Sequence, residues 1–443
     1  MKLPEVPDPK WLPEVNVLRT LFQNPECLRP EIDGRYLHWE ELRHRPPPKG
    51  ISSQAWWWAI RTGRKQLARE LPLRSASENQ PFSFAMTDSA QRLVHEVDRD
   101  ASGHIELPED VTNPATRDRY IVNSLIEEAF RSSQLEGAST TRLVAKEMIR
   151  TQRQPRNVSE RMILNNFHAM EWVRENRVDA LTPAMLFELH SIVTKETLEV
   201  VDGAGRYRRA DEDVTVVDNT NGEVIHVPPQ ASQLPSRVEA MCAFANGTSR
   251  DEPFIHPVAR AIMLHFWLAY DHPFIDGNGR TARALFYWSM LHQGYWLTEF
   301  ISISRVIGKS RTQYERAFVL SETDGNDATY FLFNQLKVLR TAIDELHGYL
   351  KRKAQEVRAL ETKLRGRDDL NNRQLAVLND ALRHPDSRIT IEGHQTLNRV
   401  VYQTARTDLL GLVTQGYLEQ TKIGKKLYFT PARDLPRKLK PAK

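Results

Sequence analysis

The chain has little of what marks secreted or membrane proteins. Of its 443 residues only Cys27 and Cys242 are cysteines, which excludes a disulfide framework and a cysteine-based metal site. No apolar run approaches the roughly 18 residues that a membrane helix needs. Residues 1–13 lack the apolar core that follows a basic start in a signal peptide. We therefore predict a cytoplasmic protein that has no membrane partner.

An excess of charge of one sign is also missing. The 61 Lys and Arg residues are nearly balanced by 57 Asp and Glu residues, which gives a net charge of +4. So mild an excess does not by itself indicate a nucleic-acid-binding protein. The apolar content of 40% and the charged content of 27% are ordinary for a globular chain, and its length predicts several domains.

Chemically distinctive residues are instead concentrated in residues 271–283, which read Asp-His-Pro-Phe-Ile-Asp-Gly-Asn-Gly-Arg-Thr-Ala-Arg. Gly277 and Gly279 allow a tight turn in which backbone amides are exposed. A helix that begins at this turn would present its free amides and the positive end of its dipole to an anion. Arg280 and Arg283 lie on one helical face, where each guanidinium can fork onto phosphate oxygens. The stretch therefore predicts a polyphosphate site.

Neighbouring side chains complete this predicted site. Asn278 adds a side-chain hydrogen-bond donor. Asp276 is a carboxylate beside a positive cluster, which is best explained as a ligand of a Mg²⁺ ion that bridges phosphates. His272 precedes it in the chain, and an imidazole, which titrates near neutral pH, can take the proton of an attacking hydroxyl. Phe274, between them, is expected to be buried and to fix the loop.

Other interpretations of the glycines fit less well. Their spacing resembles a dinucleotide-binding fingerprint, but the pattern follows a helix rather than a strand. Gly308-Lys309-Ser310 resembles the end of a Walker loop, but the first glycine that such a loop needs falls on Ile303. A simple surface turn explains the glycines but not the histidine, the carboxylate and the arginines beside them.

Residues 271–283 match the motif of the Fic family, His-x-Phe-x-Asp/Glu-Gly-Asn-Gly followed by two arginines, at every defining position. A minor departure is Ala282, where the family often has glycine. The resemblance covers about residues 113–345 and includes the segment Gly205-Arg206-Tyr207-Arg208. It implies a protein adenylyltransferase that transfers AMP from ATP to a Tyr, Ser or Thr hydroxyl of a target protein and releases pyrophosphate, with Mg²⁺ as cofactor.

The resemblance also assigns roles to individual residues. His272 would be the general base, and Asp276 would hold the metal. The glycine turn would cradle the α- and β-phosphates, while the first arginine steadies the β-phosphate and the second the γ-phosphate. These ATP-binding positions are Gly277, Asn278, Gly279, Arg280 and Arg283. Members that transfer phosphate carry Lys in place of Gly279, so the glycine favours nucleotidyl transfer over kinase chemistry.

A second family signature, the inhibitory motif Ser/Thr-x-x-x-Glu-Gly/Asn, matches residues 132–137, with Ser132 and Glu136 at defining positions. The resemblance implies that Glu136 pairs with Arg283, occupies the place of the γ-phosphate and repels ATP. Two alternatives to self-inhibited transfer stay open. One is a deAMPylase that removes AMP from a modified protein, with Glu136 positioning water. The other is a DNA-binding regulator that senses nucleotide at the Fic site.

Periodicity and resemblance together predict a mainly α fold: a Fic-type helical core with a β-hairpin flap, a small N-terminal helical domain and a C-terminal winged helix. The flap consists of two valine-rich runs around an Asn-Gly turn at residues 218–222. Its edge is expected to pair with an extended target segment, unless the hairpin is only structural. The predicted domains are residues 1–110, a core of 111–345 with the inhibitory helix at about 117–137, a linker helix at 346–366 and a winged helix at 367–435.

Smaller features leave alternatives open. Residues 98–109 fit a calcium-loop pattern, although a capped turn between helices suits them better. The winged helix could bind DNA or serve as a protein-docking module, since Glu392, Asp408 and Glu419 dilute its positive patch. Family members often form dimers, so a homodimer is a further expectation. The basic residues of the patch and tail are Arg399, Arg406, Lys422, Lys425, Lys426, Arg437, Lys438, Lys440 and Lys443.

Overall fold

The computed structural model of the chain describes residues 3–8, 11–101, 114–200, 202–212, 214–217, 222–248, 250, 253–364, 370–383, 387–423 and 426–438. These residues are mainly helical, which confirms the predicted fold class. Their strands pair into two-stranded antiparallel sheets. No helix in the described part of the chain is long and apolar enough to cross a membrane. Cys27 and Cys242 are both buried, and neither forms a disulfide.

In chain order the first elements are α1 (Val15–Gln23), α2 (Trp39–Leu42), α3 (Ser53–Leu67), β1 (Ala68–Arg74), β2 (Pro81–Ala85), α4 (Asp88–Ala101), α5 (Pro114–Leu135), α6 (Arg142–Thr151), α7 (Val158–Glu175) and α8 (Pro183–Thr194). They are followed by β3 (Val216–Val217), β4 (Val224–His226), α9 (Leu234–Ala245), α10 (Pro257–Asp271), α11 (Asn278–His292), α12 (Ile303–Lys309), α13 (Arg311–Thr323) and α14 (Thr329–Leu364). The last are α15 (Asn372–Arg383), α16 (Ile391–Asn398), α17 (Tyr402–Thr414), β5 (Leu418–Ile423), β6 (Lys426–Pro431) and α18 (Leu435–Lys438).

The chain divides into two compact units. The first comprises Met1–Gly103, His168–Thr298 and Ile303–Thr341, and the second comprises His104–Phe167, Glu299–Ser302 and Ala342–Lys443. The predicted inhibitory helix, which corresponds to α5, therefore groups with the C-terminal segment rather than with residues 271–283. The domain boundaries given by the sequence divide the chain differently, and they stay predictions.

The N-terminal region is less helical than predicted. Helix α3 ends at Leu67, and the chain then enters β1, which pairs with β2. The charged residues of β1 obscure the alternation of apolar and polar residues that is typical of a strand. In the structure Leu71 and Leu73 are buried, while their neighbours are exposed. Backbone hydrogen bonds join Ser83 of β2 to residues 326 and 328. Residues 1–103 are thus built into the first unit and include a hairpin as well as helices.

Two long helices, α10 and α11, form the centre of the first unit. Both are buried along nearly their whole length and pack against each other. Each large apolar side chain buried there, such as Trp267 or Phe286, contributes about 1.5–3 kcal/mol of stabilisation. The segment between the helices, residues 272–277, is called the site loop below. Because both of its flanking helices are fixed by packing, its two ends are fixed as well.

The second unit joins α5 and α6 to a C-terminal module of residues 370–438. In this module three helices, α15 to α17, precede the antiparallel pair β5–β6, and Ile389 adds a bridge to Phe429. The module has its own apolar core, which includes Leu378, Leu409 and Leu412. Its helix α16 packs against both α5 and α6.

Candidate active site

His272 occupies a sharp turn at the end of α10. Its backbone is in the left-handed region, with φ 45° and ψ 55°, and its N–H donates to the carbonyl of Leu268 at 3.0 Å. The ring atom Nδ1 lies 3.1 Å from the carbonyl oxygen of Ala269. Because a carbonyl can only accept, Nδ1 carries a proton, and in the neutral ring the lone pair is then on Nε2. This is the tautomer in which Nε2 can act as a base.

A glycine turn follows and starts α11. Gly277 is the residue that caps the helix, with φ 82°, which a side chain rarely tolerates. A Cβ atom at this position would lie 2.6 Å from Cγ2 of Thr194 and 3.4 Å from Nε2 of His190. The first amides of α11 have no partner within the helix, so the turn and the helix N-terminus have the geometry that the predicted anion site requires.

The side chain of Asn278 forms hydrogen bonds within the site loop. Its buried side chain accepts a hydrogen bond from the N–H of Phe274 at 3.0 Å and donates to the carbonyl of Phe274 at 2.8 Å. One of the two N–H groups of the side-chain amide therefore closes the site loop, and the expected role of this side chain as a phosphate donor stays a prediction. Phe274 is fully buried, as predicted. Binding of ATP by the backbone N–H of Asn278 also remains a prediction.

The carboxylate and the two arginines differ in exposure. The Asp276 side chain is 58% exposed and accepts from Arg280 at 3.1 Å. Arg280 is buried and also donates to the carbonyl of Val193 at 3.2 Å, while Arg283 is buried within α11. No group of three metal-binding side chains occurs among the described residues. A Mg²⁺ ion at Asp276 would therefore take its other ligands from phosphate oxygens and water, as Mg²⁺ usually does.

Arg208 holds the site loop from outside. Its N–H donates to the carbonyl of Pro273 at 2.9 Å, and its Nε donates to the carbonyl of His272 at 2.8 Å. A further guanidinium N–H donates to the carbonyl of Pro229. Burial lowers the pKa of Arg208. The sequence analysis names Arg208 only as part of the segment 205–208 that resembles the family and gives it no role. The structure shows that Arg208 holds the backbone of the predicted base.

His190 of α8 is a buried residue of the site that sequence reasoning missed. Its Nε2 lies 2.8 Å from the carbonyl oxygen of Asp276, and its Nδ1 accepts from the N–H of Gly205 at 3.0 Å. The ring stacks on Phe274, with centroids 3.7 Å apart and planes 7° from parallel. Burial lowers the pKa of His190 to about 4. No local motif marks this residue, which lies 86 positions before Asp276.

The predicted hairpin is present as β3 and β4, and most of its turn, residues 218–221, lies outside the described residues. His226 of β4 contacts two acceptors: Nδ1 lies 2.8 Å from Glu322 and Nε2 lies 2.7 Å from the carbonyl of Tyr270. Burial alone would lower the pKa of His226, but the hydrogen bond and charge of Glu322 outweigh it and raise the pKa. The hairpin is thus attached to α10 just before His272.

In the second unit, the predicted inhibitory motif ends α5. Gly137 has φ 91°, and the N–H of Ala138 donates to the carbonyl of Ser133 at 3.0 Å, which closes the helix end. Ser132 is buried, whereas Glu136 is exposed at the helix end. The motif residues therefore lie at a helix terminus, and the pairing of Glu136 with Arg283 stays a prediction.

Two lesser expectations fall partly outside the described residues. Of the calcium-loop pattern, residues 102–109 are not described, and Asp98 and Asp100 contact protein groups: Asp98 contacts His256 at 3.0 Å, and Asp100 pairs with Arg99 at 2.7 Å. Of the basic patch and tail, Lys425, Lys440 and Lys443 are also outside the described residues, as is the side chain of Arg437.

Comparison with known proteins finds similarity over the part of the chain that contains this site. Residues 180–290 match the Fic/DOC family. The chain is 24% identical over 238 residues to the protein adenylyltransferase Fic of Nematostella vectensis, which covers 52% of each chain. It is 26% identical over 226 residues to the protein of the same name in Drosophila grimshawi, covering 50% of this chain and 43% of that one. The chain thus spans about half the length of these curated relatives.

Among solved structures, a Fic family protein from Desulfovibrio desulfuricans aligns with a TM-score of 0.49 and 19% identity, over 78% of this chain and 97% of that one. The matched family region contains His190, Arg208, the site loop and the start of α11. The residues of the motif lie together in the arrangement described above. The match to the Fic/DOC family therefore covers the residues that build this site.

Proposed function

We propose that this chain is a protein adenylyltransferase that transfers AMP from ATP to a Tyr, Ser or Thr hydroxyl of a target protein. The observation that carries the proposal is the tautomer of His272, whose Nδ1 is held by Ala269, beside the glycine turn that starts α11. The names of the relatives, both protein adenylyltransferases, point to the same reaction.

In the proposed reaction the hydroxyl oxygen of the target attacks the α-phosphorus of ATP. The new bond forms as the bond from the α-phosphorus to the bridging β-oxygen breaks, and pyrophosphate leaves with that oxygen. The hydroxyl proton passes to Nε2 of His272. The amides at Asn278 and Gly279 carry the charge that develops on the phosphate oxygens, and Arg280 and Arg283 hold the β- and γ-phosphates. The amide of Gly277, which donates to the Asp276 carboxylate in this structure, joins them once it is released from that carboxylate.

Magnesium fits the site through one exposed carboxylate. Asp276 presents an oxygen that already accepts from Arg280, so its charge is partly balanced before a cation arrives. Bound Mg²⁺ would supply charge neutralisation for the phosphates. The protein's own contribution is to hold this carboxylate at the start of α11, within reach of an anion on the helix N-terminus.

We further propose that Glu136 restrains this activity by competing for Arg283. The support is the match of residues 132–137 to the inhibitory motif and the position of Glu136 at the end of α5. Glu136→Gly should raise AMP transfer, and Glu136→Gln, which keeps the shape but removes the charge, should raise it in part. Unchanged activity in both purified variants would rule out the inhibitory role.

The test of transfer uses Glu136→Gly protein in a lysate with ATP labelled at either the α- or the γ-phosphate. We expect label on a protein from α-labelled ATP alone, and loss of that label in the Glu136→Gly, His272→Ala double variant. Label from γ-labelled ATP would instead indicate phosphate transfer. Release of AMP from a modified target without labelling would favour the deAMPylase alternative.

A second function is supported for the C-terminal module: we propose that it binds duplex DNA through α17. Tyr402 and Arg406 are exposed one turn apart on the same face of α17, and Thr407 is exposed beside them. The sequence suggested that Asp408 dilutes this positive patch, which is wrong, because Asp408 is buried and bonded to Arg373 at 2.6 Å. Its carboxylate is therefore not on the exposed face.

The DNA proposal is tested by fluorescence anisotropy with duplex DNA over a range of salt concentrations. Arg406→Gln should weaken binding and reduce the salt slope by about one. Lys309→Gln, which removes an exposed charge of the first unit, is the control and should bind like the unaltered protein. Equal affinity of all three proteins would contradict a DNA contact on α17, and a footprint without AMP transfer would favour the regulator.

A further inference from the structure

His190 lies beneath the site loop, and the proposed reaction gives it no part. Its side chain is fully buried in the first unit, on α8, yet both ring nitrogens have backbone partners. The N–H of Gly205 can only donate, so Nδ1 must accept. The carbonyl oxygen of Asp276 can only accept, so Nε2 must carry the proton. The two partners together select one neutral tautomer of the ring.

The partners of His190 belong to the two segments that define the site. One is the site loop, where the carbonyl of Asp276 immediately precedes the turn at Gly277. The other is the segment that begins at Gly205 and continues to Arg208, which itself binds the carbonyls of His272 and Pro273. The imidazole thus connects these two segments, one of which holds the backbone of the predicted base while the other leads into the glycine turn.

Steric contacts reinforce this arrangement. The ring of His190 lies parallel to Phe274 at 3.7 Å, and the glycine turn approaches Thr194, one helical turn further along α8. Phe274 is in turn bonded to Asn278 through both of its backbone groups. Rotation of the Asp276 peptide would therefore break the hydrogen bond to Nε2 and disturb the stacked pair.

We propose that His190 is a positioning residue for AMP transfer, which holds the Asp276 carbonyl so that the amides of the following turn point at the nucleotide phosphates. The proposal rests on the proposed function for the reaction that it serves. In this role His190 stays neutral with its proton on Nε2, bonds its two backbone partners, and acts as neither an acid nor a base. A displacement of the turn by about 1 Å would suffice to cost about 100-fold in rate.

Three substitutions separate the contacts of His190. His190→Gln keeps an N–H near the Nε2 position and can still donate to Asp276. His190→Asn keeps an acceptor near the Nδ1 position and can bond only Gly205. His190→Phe keeps the ring that stacks on Phe274 but makes neither hydrogen bond. A purely structural role, in which the ring fills space, predicts that Phe replaces His best, whereas positioning predicts that Gln does.

The experiment measures kcat and the KM for ATP in the Glu136→Gly background, with thermal unfolding alongside. We expect His190→Gln to retain kcat within about threefold, and His190→Asn and His190→Phe to lose about 100-fold. His168→Gln, which changes a histidine side chain that is 55% exposed, is the control and should change neither value. Full activity of the Phe variant, or equal losses in all three variants, would overturn the proposal.

A spectroscopic measurement keeps the inference separate from the reaction. Nitrogen-15 spectra of the unaltered chain at pH 7 should show His190 as a neutral ring with the proton on Nε2, a signal absent from His190→Gln. A proton on Nδ1, or on both nitrogens, would overturn the proposal whatever the activity. If no variant labels any protein, the proposed function is wrong, and the affinity for Mg²⁺·ATP then tests the positioning role by itself. This affinity should fall about tenfold for His190→Asn and His190→Phe but not for His190→Gln. Equal affinities of the three variants would overturn the proposal.

Discussion

The site loop, which contains His272, and the β3–β4 hairpin, which is attached to α10 just before it, are held in opposite ways. The loop is fixed through a buried neutral histidine, His190, and through hydrogen bonds between Asn278 and Phe274. The hairpin exposes valines and is attached through His226, whose two ring nitrogens both face acceptors and so need two protons. The geometry of the loop is therefore insensitive to pH near neutrality, whereas the attachment of the hairpin depends on a proton that can be lost.

This contrast suggests a division of labour in the proposed reaction. Phosphate binding requires backbone amides in a fixed direction, which a tightly packed loop provides. Recognition of an extended target requires a strand edge that can adapt, which a short and partly exposed hairpin provides. Substitutions in the site loop and in the hairpin should therefore affect AMP transfer and pH dependence differently.

The largest effect is expected in the loop, for Gly277→Ala. The added Cβ would lie 2.6 Å from Cγ2 of Thr194, and a positive φ costs a further 1–2 kcal/mol, roughly, for a residue with a side chain. We expect AMP transfer in the Glu136→Gly background to fall by about 100-fold. Gly222→Ala in the hairpin is the matched control, because Gly222 also has positive φ but has nothing within 4 Å of its added Cβ. Similar losses in both variants would mean that backbone strain alone, not crowding, sets the effect.

Relief of the crowding sharpens this test. Thr194→Ser removes the methyl group that the new Cβ would meet, while it keeps the hydroxyl that donates to the carbonyl of His190 at 2.7 Å. In the Gly277→Ala background it should restore part of the lost activity, and in the Glu136→Gly protein alone it should have little effect. No recovery would show that the loop is disturbed for another reason.

The hairpin should respond to pH through His226. Its folded pKa is raised above the unfolded value, so its stabilisation is complete below that unfolded value, about 6.5, and is lost as the pH rises through the folded pKa. The groups that face the ring are Glu322, the carbonyl of Tyr270 and, further away, Asp271. Two charge-assisted hydrogen bonds of this kind contribute about 1.5–3 kcal/mol each when intact.

Hydrogen exchange of β4 amides measures this response. We expect protection of β4 to fall as the pH rises from 6 to 9, after correction for intrinsic exchange, while the amides of α11 show no such trend. His226→Gln should weaken protection at pH 6 and abolish the trend, and Glu322→Gln should act likewise. A pH trend that persists in His226→Gln would assign it to another group.

The motif residues of the site were predictable because they are contiguous in sequence. His272, Asp276 and Gly277 lie within one turn-forming stretch, so their chemistry and spacing can be read directly. His190 and His226 were not predictable, because their partners lie 86 and 96 residues away and only folding brings them together. The sheet β1–β2 was missed because charged residues interrupt its apolar alternation.

The second unit also contains a tightly packed contact, between α16 and the helices α5 and α6. Gly393 of α16 leaves no room for a side chain, since a Cβ there would lie 2.7 Å from the backbone oxygen of Arg150. Gly393→Ala should therefore lower stability by about 1–3 kcal/mol, measured by thermal unfolding. Gly348→Ala, whose added Cβ would meet only an ordinary contact at 3.5 Å, is the control.

If the motif at the end of α5 is inhibitory, as proposed, Gly393→Ala also has an expected effect on activity. Loosening α16 should weaken the hold on α5 and raise AMP transfer of the protein that retains Glu136. It should leave the activity of the Glu136→Gly variant unchanged, since inhibition has already been removed there. An equal change in both backgrounds would show that the contact affects catalysis without acting through the inhibitory motif.

The smallest effect is expected at the exposed edge of the hairpin. Val224 is 49% exposed, so Val224→Ser removes little from the folded protein. If a target segment covers this side chain, its loss should weaken target binding by about 1 kcal/mol, or about fivefold in the KM for the target, with no change in the KM for ATP. Val178→Ser, at an exposed valine outside the hairpin, should change neither value. A change in the KM for ATP alone would place the contribution of Val224 at the nucleotide instead of the target, and would leave the hairpin without its proposed part in recognition.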